Sequence, residues 1–130
     1  MAEPQRFQFS SSSGSVGEAS LLPRQGLSVN GSGLLDTGAT VNVLPWRLGV
    51  ELGAIWQDCR RTVSLAGNLS HVEARILVLN GVVGNFSPVA LAFAWTRSEA
   101  VPLVLGQVNF FMEFDVWLFR SRMAFEVKPK

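Results

Sequence analysis

Cysteine and histidine each occur once in the 130 residues, as Cys59 and His71. A lone cysteine cannot close a disulfide within the chain, which fits a reducing compartment or indifference to redox state. One cysteine and one histidine cannot build a metal site within one chain, so neither a metal nor any other cofactor is expected. Twelve residues apart, with no thiol-protease signature around either, they read as a small buried apolar residue and a surface histidine, not a catalytic dyad. Charge is scarce as well: charged residues make up 16% of the chain, against about 25% in an ordinary globular domain. The 11 basic and 10 acidic residues are scattered, and with no basic block to neutralise phosphates nucleic-acid binding has no support. Long hydrophobic runs are also missing. The longest uncharged apolar stretch, near 82–95, is interrupted by Gly84, Asn85, Ser87 and Pro88, and is too short to span a bilayer. The first twenty residues lack the apolar segment of a secretory signal. The reading is a soluble, cytoplasmic protein without a membrane partner.

What the chain does have is apolar side chain, 48% of its residues. With so few charges, either the core is large for this length or a partner covers apolar surface, as a homodimer would. The length suits one domain with a real core and not two. Residues 1–18 are polar, with serines at 10–13 followed by Gly14, and are expected to form a flexible leader. The domain is then 19–130.

Within it, short apolar runs punctuated by turn residues give an all-β pattern. Residues 21–29 read as a strand closed by an Asn30-Gly31-Ser32-Gly33 turn, with Leu34-Leu35 starting the return. Val41, Val43 and Leu44 resume the β pattern until Pro45, and 46–52 suit one or two helical turns. Residues 62–65 and 72–79 flank a small-residue tip, Ala66-Gly67-Asn68-Leu69-Ser70. In the second arm Val72, Ala74, Ile76 and Val78 alternate with His71, Glu73 and Arg75, predicting one apolar and one wet face. Residues 85–95 alternate large and small apolar side chains, as in a strand buried on both faces. Gly106 to Met112 predicts a helix, and 114–119 with 123–127 a last hairpin across Arg120-Ser121-Arg122. Trp46, Trp56, Trp95 and Trp117 are expected in core or interface. Phe110, Phe111, Phe114 and Phe119 are expected between the helix and the last hairpin.

One carboxylate defies the folding pattern. Asp36 lies between Leu34-Leu35 and Thr37-Gly38-Ala39, where burial would penalise its charge. An Asx turn would account for an Asp-X-Gly at a hairpin exit, but not for the apolar runs around it. Asp-[Thr/Ser]-Gly arises by chance in roughly one chain in twenty of this size; the setting is what makes it specific. A β-hairpin delivers it, a β-branched run follows, and some seventy residues later Leu103-Val104-Leu105-Gly106 ends a second apolar run.

Together these stretches, over roughly residues 20–127, resemble the retropepsins, the retroviral-type aspartic proteases, and most of all their bacterial and cellular members. The resemblance implies an all-β, closed barrel-like acid-protease fold with one short helix in its C-terminal region, assembled as a homodimer. It implies an endopeptidase that hydrolyses extended polypeptides with a water held between two carboxylates. Like charges so close cannot both ionise comfortably, so the pair shares one proton, one member acting as base and the other as acid. Asp58 and Asp115 lack the Thr-Gly setting, so the second carboxylate is Asp36 of another copy. In the same resemblance Thr37, Gly38 and Ala39 form the active-site turn and dimer lock, Leu65, Ala66, Gly67 and Asn68 a substrate-binding flap, and Leu105 and Gly106 the supporting loop before the helix. Two departures stand out. Thr40 occupies a position that is commonly acidic in retroviral enzymes, and Gln107 one that is usually basic. A non-catalytic peptide-binding adaptor on the same fold, or an enzyme that mainly processes its own leader, are the alternative functions.

Overall fold

The computed structural model describes residues 3–8, 16–22, 28–122 and 124–130. Ten strands and two short helices follow one another as β1 (Gln5–Gln8), β2 (Val16–Leu22), β3 (Val29–Leu35), β4 (Asn42–Leu44), α1 (Trp46–Glu51), β5 (Thr62–Val63), β6 (Ala74–Val83), β7 (Val89–Thr96), β8 (Val104–Leu105), α2 (Phe110–Glu113), β9 (Phe114–Phe119) and β10 (Ala124–Pro129). Single 3-10 turns fall at Trp56–Asp58, Gly67–Leu69 and Arg120–Arg122. The chain is mostly β with few helices. The strands form a seven-stranded sheet, β2-β3-β8-β4-β7-β6-β5, in which β2 also pairs with β6, and beside it a three-stranded sheet, β1-β10-β9.

The residues expected to be a flexible leader supply β1 and the first three residues of β2. Gln5–Gln8 pair antiparallel with Ala124–Val127 of β10, and Arg6 fixes this join through a 2.6 Å ion pair with Glu126. Val16 to Ser20 pair with Leu34 to Asn30. Polar composition hides strands of this kind, because their partners lie a chain length or a hairpin away.

The Asn30-Gly31-Ser32-Gly33 turn is a second correction: all four residues lie inside β3. The glycines serve close packing here, not turning. A Cβ on Gly33 would stand 2.8 Å from Leu105 Cδ1, and one on Gly31 3.4 Å from Leu103 Cδ2. The antiparallel partner of β3 is β2, which ends at Leu22.

Two apolar clusters lie on opposite faces of the β6–β7 pair. The larger holds Phe93, Trp95, Leu91, Leu79, Leu44, Phe110, Phe114 and Phe125. The smaller gathers Val43, Leu65, Ala74, Ala94, Val101 and Val104. This explains where the alternation read in the second arm fails. Ala74 is covered by the smaller cluster, but that cluster does not extend along the strand. Ile76 and Val78 are therefore exposed, while Leu79, on the other face, is buried. On β7 the reading holds in the C-terminal half, where Phe93, Ala94, Trp95 and Thr96 are all buried, and not at Ala90, which is exposed.

Trp95 organises one end of the larger cluster. Its ring stacks on Trp46 at 4.9 Å and meets Trp56 edge-on at 5.4 Å, and its Nε1–H donates to the Trp46 carbonyl. Gly49 of α1 lies so close that a Cβ would be 2.2 Å from the indole. Trp117 stays outside, 43% exposed on β9. The first arm of the last hairpin has the expected limits, Phe114–Phe119, and the second runs two residues past its expected end, to Pro129 opposite Phe114. The helix expected from Gly106 begins only at Phe110, because Val108 pairs as a β-bridge with Val41 of another segment and its carbonyl is taken by Asn42 N–H.

Candidate active site

That segment is the loop carrying Asp36. β8 lies between β3 and β4, parallel to the first (Leu34↔Val104, Leu35↔Leu105) and antiparallel to the second (Val43↔Val104). The connection from β3 to β4 must therefore pass over the end of β8, and hydrogen bonds fix it along its length. Asp36 N–H donates to the Leu105 carbonyl at 3.1 Å, and Ala39 N–H closes the turn onto the Asp36 carbonyl at 3.1 Å. Beyond Leu105 the chain straps the loop from outside. Gln107 N–H donates to Ala39 O at 3.0 Å, Val108 N–H to Thr40 O at 2.7 Å, and Asn42 N–H returns to Val108 O at 3.1 Å. The Gln107 side chain adds Nε2–H to the Thr37 carbonyl at 2.6 Å.

Two glycines make this approach possible. Gly38 N–H donates to Asp36 Oδ1 at 2.9 Å, and a side chain at position 38 would crowd that oxygen at 3.2 Å. At Gly106 a Cβ would stand 2.6 Å from the Val41 carbonyl oxygen and 2.9 Å from that of Ala39. No side chain fits between the strap and the loop.

Beneath the strap lies a pair of amides that the motifs did not reveal. Asn42 is fully buried. Its Oδ1 accepts Gly106 N–H at 2.8 Å, and its Nδ2–H donates to Ala92 O at 3.0 Å and to Asn109 Oδ1 at 3.2 Å. Asn109 Oδ1 also accepts Ala92 N–H at 3.0 Å, while its Nδ2–H donates to Ala90 O at 2.9 Å. β4 covers the edge of β7 only from Phe93 to Trp95. Past that point the two side-chain amides stand in for strand backbone and pair the Ala92 N–H and the Ala92 and Ala90 carbonyls. A sequence signal for Asn42 existed, a polar residue inside the Val41-Asn42-Val43-Leu44 run. Asn109 has none.

The loop forms one wall of a groove of about 310 Å³ lined by Gly38, Ala39, Thr40, Val41 and Val43, with Ser64, Leu65, Ala66, Gly67 and Leu69 opposite. Its apolar lining is continuous with the smaller cluster, to which Val43 and Leu65 belong. The structure thus brings Gly38 and Ala39 face to face with Leu65, Ala66 and Gly67. Asn68 is exposed and is not part of the wall, and Leu105 and Gly106 are buried behind the loop. Asp36 is half-buried and Thr37 exposed, both next to Gly38 at the groove's end of the loop. None of the ion pairs among the described residues includes Asp36. Thr40, the commonly acidic position, lines the groove as a neutral residue.

Cys59 and His71 are apart from this groove. Burial pushes the Cys59 thiol above its ordinary value and Asp58 adds to the rise, while Arg75 opposes it. His71 is exposed. Among the described residues no three His, Cys, Asp or Glu side chains group to hold a metal ion, and no helix is long and apolar enough to cross a membrane.

No protein-family profile matches the sequence, and no curated protein matches it. The fold itself is similar to the crystal structure of a retropepsin-like aspartic protease from Rickettsia conorii, over 98% of this chain and 100% of that one, with a TM-score of 0.65 and 13% identity. At such low identity the likeness is one of architecture: the chain has the fold of a retropepsin-like aspartic protease.

Proposed function

We propose that this protein is an aspartic endopeptidase working as a homodimer, with Asp36 from each copy forming the catalytic pair. The observation that carries the proposal is the Asp36 carboxylate, held by the amide of Gly38, the residue with which one wall of an apolar groove begins. The likeness of fold to a retropepsin-like protease supports it. One chain offers one such carboxylate, so two copies face each other across a two-fold axis. A water between them gives up a proton to the ionised member, and the protonated member donates to the scissile carbonyl oxygen.

Leu65 to Asn68 cover the bound peptide. The short β5 leaves the backbone of 64–66 unpaired by β6, free to take an extended substrate by strand addition. Val41, Val43, Leu65 and Leu69 favour large apolar side chains near the scissile bond. Thr37 bonds to the partner's backbone and locks the two loops.

The test compares wild type with Asp36→Asn at equal dimer fraction, from acid to neutral pH. Cleavage should fall by a factor on the order of 10² to 10⁴, with dimer content and unfolding temperature unchanged. Equal cleavage by both proteins would sink the assignment.

A further inference from the structure

We infer that Arg75 is a positioning residue for the covering wall of the groove: its guanidinium clamps the segment that leads into that wall and so fixes where the moving part of the hairpin begins. The effect on peptide binding rests on the protease reading above; the clamp itself does not.

The wall from Ser64 to Leu69 hangs on two arms. The arm that follows it is β6, paired with β7 from Ala74 to Gly81. The arm that precedes it is β5, two residues long, with Thr62 opposite Arg75 and Val63 opposite Ala74. So short a ladder is a weak hold for a wall that must close on a substrate. One backbone bond extends it, Ile76 N–H to Arg61 O at 2.8 Å. Farther back the Arg75 side chain takes over. Its Nη1–H donates to the Trp56 carbonyl at 2.9 Å and to the Cys59 carbonyl at 3.3 Å, and the guanidinium lies over the Trp56 ring at 4.5 Å. Trp56 is itself buried, edge-on to both Trp46 and Trp95. One side chain of the outgoing arm thus ties the incoming arm to the core.

The choice of side chain points the same way. The Trp56 carbonyl already accepts Cys59 N–H, so the guanidinium adds a donor to a group that has one. The Arg75 Nε–H is buried with no hydrogen-bond partner among the described residues. An unpaired buried donor lowers stability, so stability alone is a poor reason for arginine here. What arginine offers is a planar group that bonds carbonyls at one end while its face covers an indole. With the foot of the wall held, opening is confined to the locally bonded turn from Ala66 to Val72, and the wall closes in one register. With the foot released, the covered state forms less often, while the Asp36 loop keeps its bonds to Leu105, Gln107 and Val108.

The experiment uses Arg75→Met in the full chain, which keeps an apolar stem on Trp56 and removes the charged donor. Cys59, the one cysteine of the chain, lies in the clamped segment and reports its opening through the rate of labelling by a chromogenic aryl disulfide. Labelling should quicken about tenfold, because bonds from a charged donor are lost. Charge alone predicts the reverse: burial and Asp58 push the Cys59 thiol up and Arg75 opposes them, so removing Arg75 leaves less thiolate to react. With peptide substrate at equal dimer fraction, KM should rise about fivefold and kcat should stay within about twofold. Arg75→Lys should move both readouts the same way by less, and it replaces the methionine variant should that one misfold as seen by circular dichroism. Arg97→Met should match wild type in both, because the exposed Arg97 covers the same Trp46 and Trp56 rings from outside the hairpin. Unchanged labelling in the Arg75 variants would overturn the clamp. Faster labelling with unchanged KM would overturn the positioning role and leave a structural contact. A wild type that cleaves no peptide would overturn the protease reading and the positioning role with it, while labelling still decides the clamp.

Discussion

The two walls of the groove are held in opposite ways. The loop at 36–41 is bonded to residues far away in sequence, at Leu105, Gln107 and Val108. The facing tip is bonded only to itself: Leu69 N–H to Ala66 O, Ser70 N–H to Gly67 O, and Val72 N–H to Leu69 O. Its strand pairing stops at Val63↔Ala74, and its anchor is the buried side chain of Leu65. A reacting carboxylate must be placed to within a fraction of an ångström, and bonds from several segments do that. A cover must move at little cost, and local turns with few long-range contacts open readily.

The firmly held wall is most vulnerable at Gly106. In Gly106→Ala the new methyl meets the Val41 and Ala39 carbonyls, which are backbone and cannot swing aside. Stability should fall by about 2–3 kcal/mol, and cleavage below the unfolding temperature should fall further than unfolding accounts for. Thermal unfolding alongside peptide hydrolysis separates the two losses. Unchanged activity would mean that the strap does not position the loop.

Asn109→Ala probes the same wall at an intermediate level. It leaves Ala92 N–H, Ala90 O and Asn42 Nδ2 short of partners, which should cost about 1–3 kcal/mol in urea unfolding. Asn109→Asp keeps the acceptor and loses the donor, and should fall between alanine and wild type. The smallest effect belongs to the opposite wall. Gly67 has φ +64, and nothing lies within 4 Å of the point where a side-chain methyl would stand, so Gly67→Ala should cost only about 1 kcal/mol. Its signature should be a few-fold drop in kcat/KM with an almost unchanged Tm, read from steady-state kinetics. A large loss of stability there would show the tip to be as firmly held as the loop.

Much of the frame was legible from residue order. The last hairpin, the all-β pattern, the hairpin tip and the placing of Asp36 just past a strand followed from period-two alternation and turn chemistry. What escaped has a common cause in long-range pairing. Gly31 and Gly33 looked like a turn because the residues that pack against them, Leu103 and Leu105, lie far along the chain. Gln5–Gln8 looked like a tail because their strand partner is β10. The helix after Gly106 came out short because Val108 pairs with Val41 and gives its carbonyl to Asn42. The Asn42–Asn109 pair was invisible for the same reason: an amide that replaces a strand can be recognised only when the strand edge it covers is known.

The parallel pairing of β3 with β8 also sets an order of events during synthesis. Asp36 emerges early, but the carbonyl of Leu105 that fixes its backbone comes some seventy residues later. Until then a growing chain carries the motif without the geometry. The fold thus withholds a formed site from an unfinished chain, and the last fifth of the sequence acts as its completion signal.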